Sequence, residues 1–134
     1  MTLVFDSNAL IASLHGEPGG QYVQGLLSDP ENVCIVHATN LCEVYYEFRR
    51  IGGEAYAQAV LVSLRDAGIL VREDMDDDFW QEAGRIKADI RRISLADCFC
   101  AALASRLDGE VVTADKEFAP LADPAYGYRV NFIR

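Results

Sequence analysis

The chain has 134 residues, a common size for one domain and too few for two comfortable ones. With 51% hydrophobic, 10% aromatic and 25% charged residues, its composition is globular and excludes a disordered or collagen-like chain. The formal net charge at pH 7 is −9, which lacks the basic excess that nucleic-acid-binding proteins usually carry.

The apolar segments do not predict a secreted or membrane protein. Asp6 comes too early for the core of a signal peptide, no basic leader precedes it, and the longer apolar runs are broken by Arg, Asp or Gly. We therefore expect a cytoplasmic protein without a membrane partner, organised as a single domain over residues 1–134. Four cysteines lie in apolar segments, and we expect reduced packing thiols, with disulfides or a zinc site as alternatives.

Short apolar segments alternate with amphipathic ones along the whole chain. In chain order they predict strand 2–6, helix 9–14, helix 21–27, strand 33–36, a helix capped by Thr39-Asn40 and reaching residue 50, helix 54–67, strand 69–71, helix 77–91, a helix capped by Ser94 and reaching residue 106, strand 111–113, a short helical piece at 116–121 and strand 130–133. The strands are apolar on both faces. The pattern predicts an α/β fold, a three-layer α/β/α sandwich with a mainly parallel central sheet.

Four acids fall close to the carboxyl ends of predicted strands or in the first turn of the helices that follow. Asp6 ends the first strand, Asp115 lies two residues beyond the fourth, and Glu43 and Asp97 lie early in helices. Ligands of open α/β sheets bind just beyond the carboxyl ends of the strands. The four acids are therefore placed on one edge of one sheet.

Each of these acids also has a purely structural interpretation. Asp6 is a suitable cap for the helix after it, and Asp115 suits a turn. Asn40-x-x-Glu43 and Ser94-x-x-Asp97 both have the capping-box spacing. Taken singly, each acid leaves both interpretations open.

The segment around Asp97 favours a functional site. Residues 95–104 are apolar around the whole circumference of a helix, which predicts a buried helix with a carboxylate near its start. A buried charge needs a compensating group, and a cluster of carboxylates is kept ionised by a divalent ion. Oxygen ligands without His or thiolate favour Mg²⁺ or Mn²⁺, and the chemistry that follows is phosphodiester hydrolysis.

Taken together in order, spacing and total length, four segments resemble the PIN-domain family, and most of all its small stand-alone members, the VapC-type toxins of bacterial toxin–antitoxin pairs. The segments are Val4-Phe5-Asp6-Ser7-Asn8-Ala9-Leu10-Ile11, Asn40-Leu41-Cys42-Glu43-Val44, Ser94-Leu95-Ala96-Asp97-Cys98-Phe99 and Val111-Val112-Thr113-Ala114-Asp115-Lys116-Glu117-Phe118. One segment alone is weak evidence, whereas the ordered set spans nearly the whole chain.

The resemblance implies a PIN-like fold with an acidic pocket that binds Mg²⁺ or Mn²⁺, and endonucleolytic cleavage of RNA. Asp6, Glu43, Asp97 and Asp115 match the four acidic positions of the family, both as catalytic residues and as metal ligands. Ser7 or Asn8, and Thr113, match polar positions that support the pocket. The resemblance further implies a homodimer and a cognate antitoxin protein, whose basic tail would suit the acidic charge of this chain.

Weaker candidates and rival functions complete the sequence-based hypothesis. Arg50, Arg91 and Arg92 are candidate contacts for substrate phosphates, although an ordinary solvated face explains such arginines as well. Two alternatives to a ribonuclease remain: another Mg²⁺-dependent aspartate phosphohydrolase, and a non-catalytic binding module with the same fold. No GxSxG elbow, Walker loop or GxGxxG motif occurs in the sequence.

Overall fold

The strands form one parallel sheet in the computed structural model, which describes residues 1–134. They are β1 (Thr2–Phe5), β2 (Val33–His37), β3 (Leu70–Arg72), β4 (Glu110–Thr113) and β5 (Val130–Phe132), in the spatial order β3-β2-β1-β4-β5. Every neighbouring pair is parallel. Strands β2 and β3 lie on one side of β1, and strands β4 and β5 lie on its other side. The strand order therefore reverses between β1 and β4.

Helices cover both faces of this sheet. They are α1 (Ser7–His15), α2 (Gly20–Ser28), α3 (Ala38–Gly52), α4 (Glu54–Asp66), α5 (Asp77–Asp89) and α6 (Leu95–Arg106), with a 3₁₀ helix at Lys116–Ala122. Helices α1 to α4 pack on one face, and α5, α6 and the 3₁₀ helix pack on the other. The predicted three-layer α/β/α sandwich is confirmed, with a sheet that is entirely parallel.

Two hydrophobic cores hold the layers together because successive strand residues point to opposite faces. Leu3 and Phe5 of β1 belong to the core under α1 to α4, whereas Val4 between them belongs to the core under α5 and α6. Helix α6 is buried from Asp97 to Ala104, apart from the half-buried Phe99, as its apolar circumference predicts, whereas Leu95 at its start is exposed. None of the helices combines the length and the apolar character needed to cross a membrane.

Two local predictions are wrong. Helix α3 begins at Ala38 and is capped by His37 instead of Thr39-Asn40, because a ring nitrogen of His37 accepts the Thr39 amide at 3.1 Å. Cys42 is exposed on α3, although the other three cysteines are buried, and all four are free thiols.

Candidate active site

The site begins at the point where the strand order reverses, between β1 and β4. In a sheet of this topology a crevice opens there, outside the carboxyl ends of the strands. Asp6 follows β1 directly, and Asp115 comes two residues after β4 ends. The amide of Asp6 donates to the Val112 carbonyl at 3.1 Å, which holds the two strand ends together.

Asp6 is completely buried, and both of its carboxylate oxygens accept hydrogen bonds. Oδ1 accepts the Ala9 amide at 2.8 Å, which caps α1. Oδ2 accepts the hydroxyl of Thr113, the last residue of β4. The capping role of Asp6 is therefore real, but it uses only one oxygen.

Thr113 and Asp115 form the β4 side of the site. The Thr113 hydroxyl, which donates to Asp6, also accepts the Asp115 amide at 2.8 Å. Asp115 caps the 3₁₀ helix by accepting the Glu117 amide at 2.9 Å. Thr113 thus connects two of the four predicted acids.

Glu43 approaches the site from α3. It lies in the second turn of this helix, one turn later than predicted, because α3 begins at Ala38. Its Oε1 accepts the hydroxyl of the buried Ser7 at 3.2 Å, and Ser7 directly follows Asp6. Of the two polar candidates at this position, only Ser7 contacts an acid; Asn8 is exposed and its side chain makes no hydrogen bond within the chain.

Asp97 lies in the first turn of α6 and is only 4% exposed. Its amide donates to the Ser94 hydroxyl at 3.1 Å, so Ser94 is the predicted helix cap. The carboxylate is close enough to the others to feel their charges. Burial, followed by repulsion from Asp6 and Asp115, raises the pKa of Asp97 to about 8.

The same causes act on Asp6. Burial raises its pKa to about 7, although the hydrogen bonds from Thr113 and Ala9 act in the opposite direction, and the charges of Asp115 and Glu43 add to the rise. No ion pair joins a basic side chain to any of the four acids; the ion pairs of this chain lie elsewhere. The cluster therefore holds negative charge that no side chain of the protein neutralises.

The donor set suits a hard divalent cation, which the family resemblance implies. All the candidate ligands are carboxylate oxygens. No group of three or more Asp, Glu, His or Cys side chains is arranged to hold a metal ion on its own. Of the four acids, Asp6 and Asp97 have the greatest need of a cation, because both are buried.

Sequence reasoning missed the role of Asn40. This residue is completely buried, and its carboxamide accepts the Ser7 amide at 3.3 Å and donates to the Ala96 carbonyl at 3.1 Å. It does not form the predicted capping box with Glu43. Its position in the buried stripe of α3, four residues before Val44 and eight before Phe48, is the signal that predicts burial.

The three candidate phosphate contacts lie on the surface. Arg91 and Arg92 are exposed in the turn that leads from α5 to the start of α6, and neither makes an ion pair. Lys87 fixes the backbone of this turn by donating to the carbonyls of Arg91 and Ile93 at 2.8 and 2.6 Å. The guanidinium carbon of Arg50 lies 4.8 Å from the centre of the Tyr46 ring.

None of the five surface cavities is lined by any of the four acids. Asp6 and Asp97 lie below the surface instead, with 0% and 4% of their area exposed.

Comparisons with known proteins place this arrangement in a family. Residues 3–124 match the family model of the PIN domain. A comparison with curated proteins gave no match.

Solved structures share the fold over almost the whole chain. VapBC-1 from nontypeable Haemophilus influenzae superposes with a TM-score of 0.73 at 17% identity, over 99% of this chain and 98% of that chain. VapBC2 from Rickettsia felis, in a structure bound to a DNA fragment from its promoter, has a TM-score of 0.74 at 14% identity over 98% of each chain. Mycobacterium tuberculosis VapC20, described as a Sarcin-Ricin loop cleaving toxin, has a TM-score of 0.69 at 19% identity, over 94% of this chain and 95% of that chain. With the match over residues 3–124, the chain belongs to the PIN-domain family.

Proposed function

We propose that this protein is a metal-dependent endoribonuclease that hydrolyses RNA phosphodiester bonds and acts as the toxin of a toxin–antitoxin pair. Its catalytic residues and metal ligands would be Asp6, Glu43, Asp97 and Asp115. Ser7 and Thr113 would hold two of these carboxylates in place by hydrogen bonds.

One observation carries the proposal: two buried carboxylates, Asp6 and Asp97, repel each other and the other two acids without a basic partner. Burial and mutual repulsion raise both pKa values to about 7 and about 8, so ionising the cluster near neutral pH is costly for the protein alone. A divalent cation removes this cost, since it competes with protons for the same oxygens. The arrangement is unfavourable for a merely structural role.

We infer that the metal ion is Mg²⁺ or Mn²⁺. Hard oxygen donors favour Mg²⁺, with Mn²⁺ as its usual substitute. When bound, such an ion makes a water molecule more acidic and neutralises charge on the phosphate. The chain itself orients the carboxylates and supplies donors from Thr113, Ser7 and the Ala9 amide.

RNA is proposed as the substrate because the fold is shared with VapC20, whose description names an RNA loop as its target. The exposed Arg91 and Arg92 precede the helix that carries Asp97, and Arg50 follows Glu43 on α3 by seven residues. These cations are proposed to contact phosphates beside the cleaved bond. Because the chain carries a net charge of −9, recognition would be local and not a long-range attraction.

The partners are part of the same proposal. Several structural neighbours are complexes of a toxin with its antitoxin, including VapBC-1 and a toxin–antitoxin complex from Klebsiella pneumoniae. We infer a cognate antitoxin with basic segments and a homodimer of this chain. Exposed apolar side chains on α3 and α4, among them Ile51, Tyr56 and Val62, provide a surface for such contacts. Light scattering of the chain alone and co-purified with the product of the neighbouring reading frame would test both.

The catalytic assignment is tested by replacing Asp97 with Asn and measuring cleavage of structured RNA in Mn²⁺. We expect loss of cleavage with a cooperative thermal melt retained. Asp108→Asn is the matched control, because Asp108 lies in the turn before β4 at the opposite edge of the sheet, is almost fully exposed and has a φ of 51° that Asn tolerates. This control should cleave at the wild-type rate.

The outcomes separate the rival functions. If Asp97→Asn cleaves RNA as fast as the wild type, the site assignment is wrong. Hydrolysis of p-nitrophenyl phosphate with RNA left intact would favour the aspartate phosphohydrolase. A wild-type protein that cleaves neither substrate, even though freed of any antitoxin, would favour the non-catalytic binding module.

A further inference from the structure

The buried carboxamide of Asn40 lies where three acid-bearing segments meet. Its oxygen accepts the amide of Ser7, the residue directly after Asp6, at 3.3 Å. Its nitrogen donates to the carbonyl of Ala96, the residue directly before Asp97, at 3.1 Å. One side chain therefore joins the start of α1 to the start of α6.

Asn40 also shares a helix with a third acid. It precedes Glu43 by three residues on α3, so the two side chains lie on neighbouring positions of the helix surface. Ser7 completes the connection, because its hydroxyl donates to Glu43 while its amide donates to Asn40. Asp6, Glu43 and Asp97 are thus tied to one another through backbone groups and a single amide.

The chemistry of this junction requires a neutral group with a donor at one end and an acceptor at the other. A leucine of similar size would satisfy neither backbone group, and an aspartate would accept from Ser7 but oppose the Ala96 carbonyl. Asparagine occupies a position where an apolar residue would continue the stripe of Val44 and Phe48. Since burying an amide is favourable only when its hydrogen bonds are made, these two bonds account for its presence.

We propose that Asn40 is a positioning residue that fixes the spacing between Asp6 and Asp97 at which a divalent cation binds. This inference rests on the proposed function of the acidic site. It assigns Asn40 no contact with substrate or metal: the residue acts only through the backbone beside the two carboxylates. Residues that orient metal ligands in this way typically change metal affinity by about 10- to 100-fold when replaced.

The test is calorimetric titration of the metal-free protein with Mn²⁺, compared between wild type and Asn40→Leu. We expect the dissociation constant for Mn²⁺ to rise by about 10-fold or more. Phe48→Leu is the matched control, because Phe48 is buried on the same helix and has no hydrogen-bonding group; its ring stacks on His15 and meets Tyr56 edge-on. It should lower the melting temperature and leave the Mn²⁺ dissociation constant within about twofold of the wild type.

Kinetics provide a second readout that a loss of stability would not mimic. In RNA cleavage, Asn40→Leu should raise the Mn²⁺ concentration for half-maximal rate and lower kcat, with the KM for RNA unchanged. If Asn40→Leu does not give a cooperative melt, Asn40→Ser is measured instead, since serine leaves room for water and can reach only one of the two backbone groups.

The proposal is overturned if the folded Asn40 variant binds Mn²⁺ as tightly as the wild type, or if Phe48→Leu weakens Mn²⁺ binding equally. Asp97→Asn distinguishes this failure from failure of the proposed function. If Asp97→Asn loses Mn²⁺ binding while the Asn40 variant keeps it, only the positioning role is wrong. If Asp97→Asn binds Mn²⁺ like the wild type, the site itself is misassigned, and the role of Asn40 is rejected with it.

Discussion

The hydroxyl of Thr113 stabilises the ionised form of Asp6, because it donates to a carboxylate that is otherwise completely buried. Thr113→Val keeps the shape of the side chain and removes this donor. We expect a loss of roughly 1–3 kcal/mol in the free energy of unfolding at pH 8, where Asp6 is ionised. The loss should be smaller at pH 5, because the pKa of Asp6 is raised by burial to about 7 and the carboxyl is then protonated.

Chemical denaturation of the metal-free protein at the two pH values measures this difference. Thr2→Val is the control, since Thr2 opens β1 at the far end from Asp6 and its side chain makes no hydrogen bond. If Thr113→Val loses the same free energy of unfolding at pH 5 and at pH 8, the Thr113 hydroxyl stabilises the protein mainly through its bond with the Asp115 amide and not through its bond with Asp6.

Asp97 makes the metal-free protein less stable at high pH. Its pKa in the folded state is raised to about 8, chiefly by burial, while an unfolded chain has an ordinary Asp pKa of about 4. The folded state therefore binds more protons than the unfolded state between these values, and stability falls as pH rises from about 4 to about 8. Asp97→Asn should remove much of this fall and be more stable than the wild type at pH 8, by roughly 2 kcal/mol.

Thermal melts from pH 4 to pH 8 in a chelator check the prediction. At pH 8 the gain corresponds to about 6 °C in Tm, and it should vanish near pH 4, where both proteins are uncharged at this position. With Mg²⁺ added, the wild type should melt at a higher temperature than Asp97→Asn, because Mg²⁺ stabilises the wild type more. Parallel curves for the two proteins at every pH would show that Asp97 is not in a desolvated, repulsive cluster.

The individual acids could be predicted from sequence, but their connections could not. Asp6 and Asp115 follow strands, so their positions depend only on the local order of elements. Asn40 is different, because its two partners are 33 and 56 residues away along the chain. The three-residue spacing between Asn40 and Glu43 fits a capping box, so the sequence predicted a local role for Asn40 and not its long-range hydrogen bonds.

Among the elements, α6 begins with a serine cap. Ser94 accepts the Asp97 amide and so satisfies one of the free amides at the start of a helix that is buried in the molecule. Ser94→Ala should lower the free energy of unfolding by about 1 kcal/mol. It should also weaken Mn²⁺ binding, because the helix turn that carries Asp97 loses its anchor.

Ser105→Ala is the matched control for this variant. Ser105 is exposed near the other end of α6, and its hydroxyl makes no hydrogen bond, so the replacement should change stability by less than about 0.5 kcal/mol. Urea denaturation compares the two variants directly. If Ser94→Ala and Ser105→Ala have the same stability, water replaces the hydrogen bond of the Ser94 cap, and the cap does not stabilise the protein.

The sequence predicted the strands and most helix ends to within a few residues because their signals are local. Apolar runs give the buried strands, and Ser94 and the glycines mark helix ends. The start of α3 was misplaced for a non-local reason. His37 can cap the helix because its ring is stacked on Phe79 and its second nitrogen pairs with the Asp74 carbonyl at 2.9 Å, and both residues come from a later part of the chain.

For the whole molecule, part of the negative charge is paired with arginines. In the acidic run at residues 73–78, Asp74 pairs with Arg72 at 2.8 Å and with Arg106 at 3.0 Å, and Arg106 also pairs with Asp76. These contacts hold the pKa of Asp74 at about 2, and they attach the segment between β3 and α5 to α6. Two acids of the run therefore have a structural role, because they fix this segment against α6.

A protein with so few free cations near its site should bind RNA with weak salt dependence. Each phosphate contact to a single strand changes the slope of log affinity against log salt by about −0.7, so three arginines give at most about −2. Arg92→Ala should make the slope shallower by about 0.7, and Arg91→Ala should act alike.

Arg65→Ala is the control, because it also removes one exposed, unpaired cation but lies at the end of α4, near the opposite edge of the sheet. Fluorescence anisotropy in the Asp97→Asn background, where RNA stays intact, measures these slopes from 50 to 200 mM salt. If Arg65→Ala changes the slope as much as Arg92→Ala does, RNA contacts the protein through its general charge and not through the turn before α6.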